Sequence, residues 1–180
     1  MSSRPTDDRF RDVFNVVSHR VEQRWGIPVR VADVPSPFTG DLDGAEIHVD
    51  HDLDAEDACF ILAHLFGHTV QWNTSEAARK LGEIRGAGHS PEIVTALVEY
   101  EREACEYSLQ LLHECGVHDL DQWLADFAAC DLAYLVHYYD SGVTADFRSF
   151  WKDGQPLLRP RAISEFHPTR WVSRYEGIVI

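Results

Sequence analysis

Between Ala55 and Asn73 the chain reads AEDACFILAHLFGHTVQWN, a mostly apolar run holding two histidines four residues apart. Read as a helix, this stretch sets His64 and His68 one turn apart on a single face. Phe60, Ile61, Leu65, Val70 and Trp72 give the two imidazoles an apolar surround, so the helix has to sit inside the fold with other elements laid against it. Asp52 or Asp54 can cap its start, and Glu56 and Asp57 lie in the first turn, where the helix dipole favours negative charge. Gly67, between the histidines, has no side chain and lets another element come close. Imidazoles at this spacing can hold a divalent metal, but a useful site needs at least one more protein ligand. Ten histidines among 180 residues produce about half of one such pair by chance, so the pair acquires meaning only from its context.

The missing ligand is sought on the next long helix, Pro91 to Cys115, which opens with Ser90 as its cap and proline at its first position. Ile93, Val94, Leu97, Val98, Ala104, Cys105, Ser108, Leu111 and Leu112 define one stripe, and Glu101 falls in its middle. Glu103 shares the opposite side with Glu99, Glu106 and Gln110, where carboxylates are solvated. A carboxylate on a core-facing stripe is costly unless it is paired or coordinates a metal. Glu101 is therefore the third candidate ligand, and Gln71, three residues past His68, is placed to orient one of the histidines.

The remaining segments predict an α+β fold that is mostly helical, one domain over residues 1–180. Phe10, Val13, Phe14, Val17 and Val21 recur at helical spacing from Asp8 to Trp25, with Gly26 as the stop. Ile27 to Val34 and Ala45 to Asp50 alternate as short strands, the second presenting Ala45, Ile47 and Val49 to one side; PSPFTGDLDG between them reads as turn chemistry. A short helix spans Glu76 to Ile84. Leu120 to Tyr139 is apolar nearly all round and predicts a covered helix, so its polar members Asp131, His137, Tyr138 and Tyr139 need partners or line a site. Their plain reading is as buried groups with hydrogen-bonded tips; as site residues, Tyr138 and His137 are the candidates for moving protons. Phe147 to Trp151 is a short helical or irregular piece, and the last ten residues, WVSRYEGIVI, suit a strand or strap.

With 30 acidic against 16 basic residues the formal charge is −14, which repels nucleic-acid backbones and anionic membrane surfaces, and no basic patch offsets it. Neither a signal peptide nor an apolar run long enough to span a bilayer is visible, so the expected location is cytoplasmic. Cys59, Cys105, Cys115 and Cys130 form no CxxC pair and read as reduced buried thiols. His48 reads as a surface residue, and His167 and Arg170 as uncommitted, although an arginine can clamp a carboxylate substrate.

The order strand, HxxxH helix, long helix with an inward Glu resembles the gluzincin-type metallopeptidases. Ala63–His68, AHLFGH, is similar to the AHELGH of ImmA/IrrE-like peptidases, and EREACEYSLQLL, starting at Glu101, resembles the E-x-E-A-[DN]-x-[FY]-A segment of those enzymes and of the CaaX-protease-like family. The resemblance covers about Ala45 to Leu112. It implies a zincin-like scaffold whose small sheet precedes the HxxxH helix, with His64, His68 and Glu101 as ligands of one divalent metal. The departure is Leu65, which stands where these families carry the glutamate that takes a proton from the attacking water. Losing such a base removes about two to four decades of rate from water-mediated hydrolysis. The expected function is thus a metal-dependent enzyme in which the metal acts as Lewis acid on a small molecule: a lyase, cyclase or non-peptide hydrolase, with specialised metabolism as its setting. The rival expectations are an inactive zincin used as a binding module, a non-haem Fe(II) enzyme with a two-histidine, one-carboxylate triad, and a residual metallopeptidase. Zinc is the expected metal and Fe(II) the alternative.

Overall fold

A computed structural model describes residues 4–179. Its elements run α1 (Asp7–Trp25), β1 (Val29–Ala32), β2 (Gly40–Leu42), β3 (Ile47–Asp50), α2 (Ala55–Thr74), α3 (Glu76–Gly82), α4 (Pro91–Glu114), α5 (Asp121–Ser141), a 3-10 turn (Phe147–Phe150) and β4 (Ile178–Val179). The mostly helical α+β expectation is met.

The dihistidine helix α2 is the axis of the core: from Cys59 to Trp72 every residue is buried. Asp54 caps it by accepting from the Asp57 N–H at 2.8 Å. On one side α1 lays down Phe10, Val13, Val17 and Val21, all almost fully buried. Thr6 caps that helix, and Gly26, at φ 67, closes it in the left-handed conformation. On a second side α4 packs along α2, and α5 completes the helical layer through Trp123, Leu124, Phe127 and Ala128.

The sheet covers a third side in the order β1-β3-β2-β4. β1 runs parallel to β3, with Val29 opposite Ile47, and β2 runs antiparallel to β3, with Leu42 opposite Ile47. Ile47 and Val49 face inward as their alternation predicts. The strand β2 departs from the turn reading of PSPFTGDLDG. All three of its residues are buried, although Gly and Asp are poor strand formers. Tertiary partners outweigh that propensity: Asp41 and Asp43, both fully buried, pair with Arg174, and Arg170 Nε lies 2.8 Å from Asp43. Arg170 is therefore occupied in closing the tail onto the sheet.

From Gly142 onward the chain carries little regular structure and wraps back over these layers. The Thr169 N–H donates to Asn73 Oδ1 at 2.9 Å and the Trp171 N–H to the Asp43 carbonyl at 2.8 Å. Arg79 stacks on the Trp171 ring. Of the last ten residues, Ile178 and Val179 pair with β2 as an antiparallel edge strand, and Ile180 lies outside the described residues. No helix is long and apolar enough to cross a membrane among the described residues. All four cysteines are free, Cys115 half-buried and the others buried. Burial pushes the Cys59 thiol up to about 12 and Cys130 to about 11, which keeps both in the unreactive thiol form.

Candidate metal centre

What brings α2 and α4 together is the residue between the histidines. A Cβ on Gly67 would lie 2.2 Å from the Ala104 carbonyl oxygen, so only glycine permits this approach. Two polar clamps fix the register. Ser108 Oγ donates within hydrogen-bond distance of the Ala63 and Ala104 carbonyls, 2.9 Å from each, and Gln71 Nε2 donates to the Tyr100 carbonyl at 2.9 Å. Replacing Gly67 by alanine is expected to force the helices apart and destabilise the protein by about 3 kcal/mol, a fall of about 6–12 °C in melting temperature for a chain this long. An unchanged melting curve would show that the close contact is dispensable.

At that contact Glu101 faces both histidines. Its Oε2 lies 2.9 Å from His64 Nε2 and 3.1 Å from His68 Nε2, and the two ring nitrogens are 3.0 Å apart. All three side chains are buried, and together they form a group that could hold a metal ion. Phe60 stacks on His64 and Tyr100 on His68, holding each ring in an apolar slot.

The hydrogen-bond logic decides which way the lone pairs point. Because the Tyr100 carbonyl can only accept, Gln71 turns its Nε2 towards it and presents Oε1 to His68 Nδ1, 2.8 Å away. The His68 proton then sits on Nδ1, and in the neutral ring Nε2 turns a bare lone pair to the centre. His64 Nδ1 meets the Cys105 thiol at 3.5 Å. With both rings neutral, at most one proton serves three close contacts among two nitrogens and a carboxylate oxygen. A cation at their meeting point satisfies all three, and the donor set, two nitrogens and one oxygen, suits a divalent transition metal. Gln71 thus orients the His68 ring, as its spacing predicts.

Positive charge at the same point, whether a ring proton or a cation, also acts on Glu101. Burial alone pushes the Glu101 carboxyl up, but the charge of His68 and hydrogen bonds from both histidines outweigh it and hold the group well below the usual carboxylate range. A second buried carboxylate stands beside the centre: Asp131 of α5, whose Oδ2 is 4.0 Å from His64 Nε2. Burial, partly opposed by the charge of His64 and reinforced by that of Glu101, pushes it up to about 7. Asp131 makes no hydrogen bond to any described residue, and it opens into a cavity of about 270 Å³ walled by Phe60, Phe127, Tyr134 and Phe147. The sequence marks Asp131 as a polar residue in need of a partner without placing it. The signal was the one that selected Glu101, since Asp131 follows Phe127 and precedes Leu135 by four residues each on the buried stripe of its helix.

Tyr138 reaches the neighbourhood of the centre, lining a second cavity with His68, Glu101 and Tyr139. His137 does not. It packs against Phe150 and is bonded to Ser141, because one residue along a helix turns the side chain by about 100°. His48 is half-buried and bonds Glu46 at 2.7 Å, away from the triad. Leu65, in the position of the absent glutamate, is fully buried against β2, where a Cβ on Gly40 would lie 2.6 Å from its Cδ1. Compared with protein-family models, curated proteins and solved structures, the chain matches none of them.

Proposed function

We propose that this protein is a metal-dependent enzyme that binds one divalent ion, zinc, through His64, His68 and Glu101 and acts on a small molecule. The observation that carries the reading is the convergence of three buried ligand atoms within 3.1 Å, one of whose lone pairs is aimed there by Gln71. Zinc is favoured over Fe(II) by the two histidines one helical turn apart and by the likeness of AHLFGH and EREACEYSLQLL to zincin sequences. When bound, the ion supplies Lewis acidity towards a carbonyl, carboxylate or hydroxyl oxygen.

The chain's own groups do the rest. The packing of Leu65 against Gly40 leaves no carboxylate at the position from which the zincin glutamate acts, which argues against peptide hydrolysis. Asp131, its Oδ2 4.0 Å from His64 Nε2, is the carboxylate nearest the centre outside the triad and is placed to accept and return a proton. Tyr138 contributes a phenol to the adjoining cavity. A lyase, cyclase or non-peptide hydrolase fits this set.

Elemental analysis of protein prepared without chelator, and again after reconstitution, tests the proposal. About one zinc per chain is expected. Substoichiometric metal after reconstitution with either zinc or iron sinks it, and one tightly held iron with no zinc moves the protein to oxygen-dependent chemistry.

A further inference from the structure

The cavity that touches the triad directly has one cationic side chain in its lining, the exposed Arg85, beside the carboxylates of Glu101 and Glu176. It encloses about 140 Å³ and is lined by His68, Glu101 and Arg85, with Trp72, Tyr138 and Tyr139 among its walls. Arg85 is the one Lys or Arg among the described residues that line it. Its guanidinium donates to three main-chain carbonyls, Gly82 at 2.6 Å, Ile84 at 3.1 Å and Glu176 at 2.6 Å. These bonds orient the group and leave donors of its five N–H unused. None of its partners is a carboxylate, whereas Arg24, Arg148 and Arg174 each pair with one. The Glu176 carboxylate, on the same wall, is engaged by the Ser173 N–H at 3.2 Å. Arg20 and Arg79 likewise bond main-chain carbonyls and no carboxylate, so what singles out Arg85 is its fixed orientation on the wall of the cavity that reaches the triad.

Two phenols of the cavity can also donate to an anion. The hydroxyls of Tyr138 and Tyr139 make no hydrogen bond to any described residue, and burial together with the charge of Glu101 pushes the Tyr139 phenol up, so it stays a neutral donor. Trp72 and Tyr100 supply flat apolar surface; the Trp72 indole N–H is already given to the Tyr100 hydroxyl at 2.8 Å.

We infer that this cavity binds a small planar or aromatic carboxylate, held at one end by Arg85 and reaching with the other towards His68 and Glu101. The assignment deepens the metal-enzyme reading by naming its substrate class, and it rests on that reading only for what lies beside the bound acid. A forked guanidinium engages a carboxylate through two parallel N–H bonds, which a neutral amide of the same shape cannot match.

Isothermal titration of benzoate and of its neutral counterpart benzamide separates the possibilities. It is run on zinc-loaded and on chelator-treated protein, for the wild type, Arg85→Gln and Arg85→Lys, each checked for an unchanged circular dichroism spectrum. Benzoate is expected to bind the wild type about tenfold or more tightly than benzamide, with Arg85→Gln removing the preference and Arg85→Lys keeping part of it. The chelator-treated samples decide, because there no zinc can attract the carboxylate. Equal binding of the two probes, no binding of either, or a preference that survives Arg85→Gln overturns the inference. An Arg85-dependent preference in a protein that holds no metal would sink the metal reading and leave this one standing; a stoichiometric zinc protein without the preference would do the reverse.

Discussion

In the His68→Ala variant, saturating zinc should no longer raise the melting temperature. For the wild type, zinc at about a thousand times its dissociation constant should stabilise the folded state by about 4 kcal/mol, which in a chain of this length is an increase of about 8–16 °C. The variant keeps His64 and Glu101, but a two-ligand remnant binds weakly and the shift should fall to about 2 °C or less. Glu101→Gln should behave similarly towards zinc, because the amide gives up the anionic oxygen that now lies 2.9 and 3.1 Å from the two ring nitrogens. The metal-free proteins provide the internal control. Without zinc, the buried Glu101 carboxylate of the wild type keeps its close contacts with both ring nitrogens. Scanning calorimetry with and without zinc checks the set, and a zinc shift in His68→Ala equal to that of the wild type would remove His68 from the ligand list.

Asp131→Asn should have the opposite effect on the metal-free protein: it should stabilise it, and increasingly so from pH 4 to pH 8. Asp131 is pushed up to about 7 in the fold from its ordinary 3.8. Between these values the unfolded chain has already given up its proton while the folded one still holds it. The folded state then binds more protons, and stability falls as pH rises. Above about 7 both states are ionised and the penalty is constant, up to about 4 kcal/mol by the size of the shift. Below about 4 both are protonated and the penalty vanishes. The asparagine variant, neutral throughout, loses this slope, so its melting temperature should match that of the wild type near pH 4 and exceed it near pH 8. Loading zinc places positive charge near the carboxylate and should flatten the wild-type slope too. Parallel pH profiles for the two metal-free proteins would show that Asp131 is ionised without penalty and has access to solvent.

The helices were legible because each carries its own instructions. The spacing of Phe10, Val13, Val17 and Val21, the caps at Asp54 and Ser90, and the Gly26 stop are local signals, and the structure places helices over them within a residue or two. The inward position of Glu101 was legible for the same reason, since a carboxylate on an apolar stripe announces burial from the helix alone. The strand Gly40–Leu42 was not, because its stabilising partners, Arg170 and Arg174, come from more than a hundred residues away and no propensity encodes them. At His137 and Tyr138 the sequence marks the end of α5 as polar, and the rotation of that helix against its neighbours sends one residue to Phe150 and the other to the cavity.

By itself, the sequence determined that a buried helix carries two histidines one turn apart, that a second helix carries a buried glutamate, and that no glutamate follows His64. These are properties of single elements, set by residue spacing and by the cost of burying charge. Only the tertiary structure decided that Glu101 meets both histidines, through the bare backbone of Gly67 against Ala104. It alone set Asp131 beside His64 and turned Arg85 towards the same cavity as His68. Those are relations between elements, fixed by the distances at which whole helices pack.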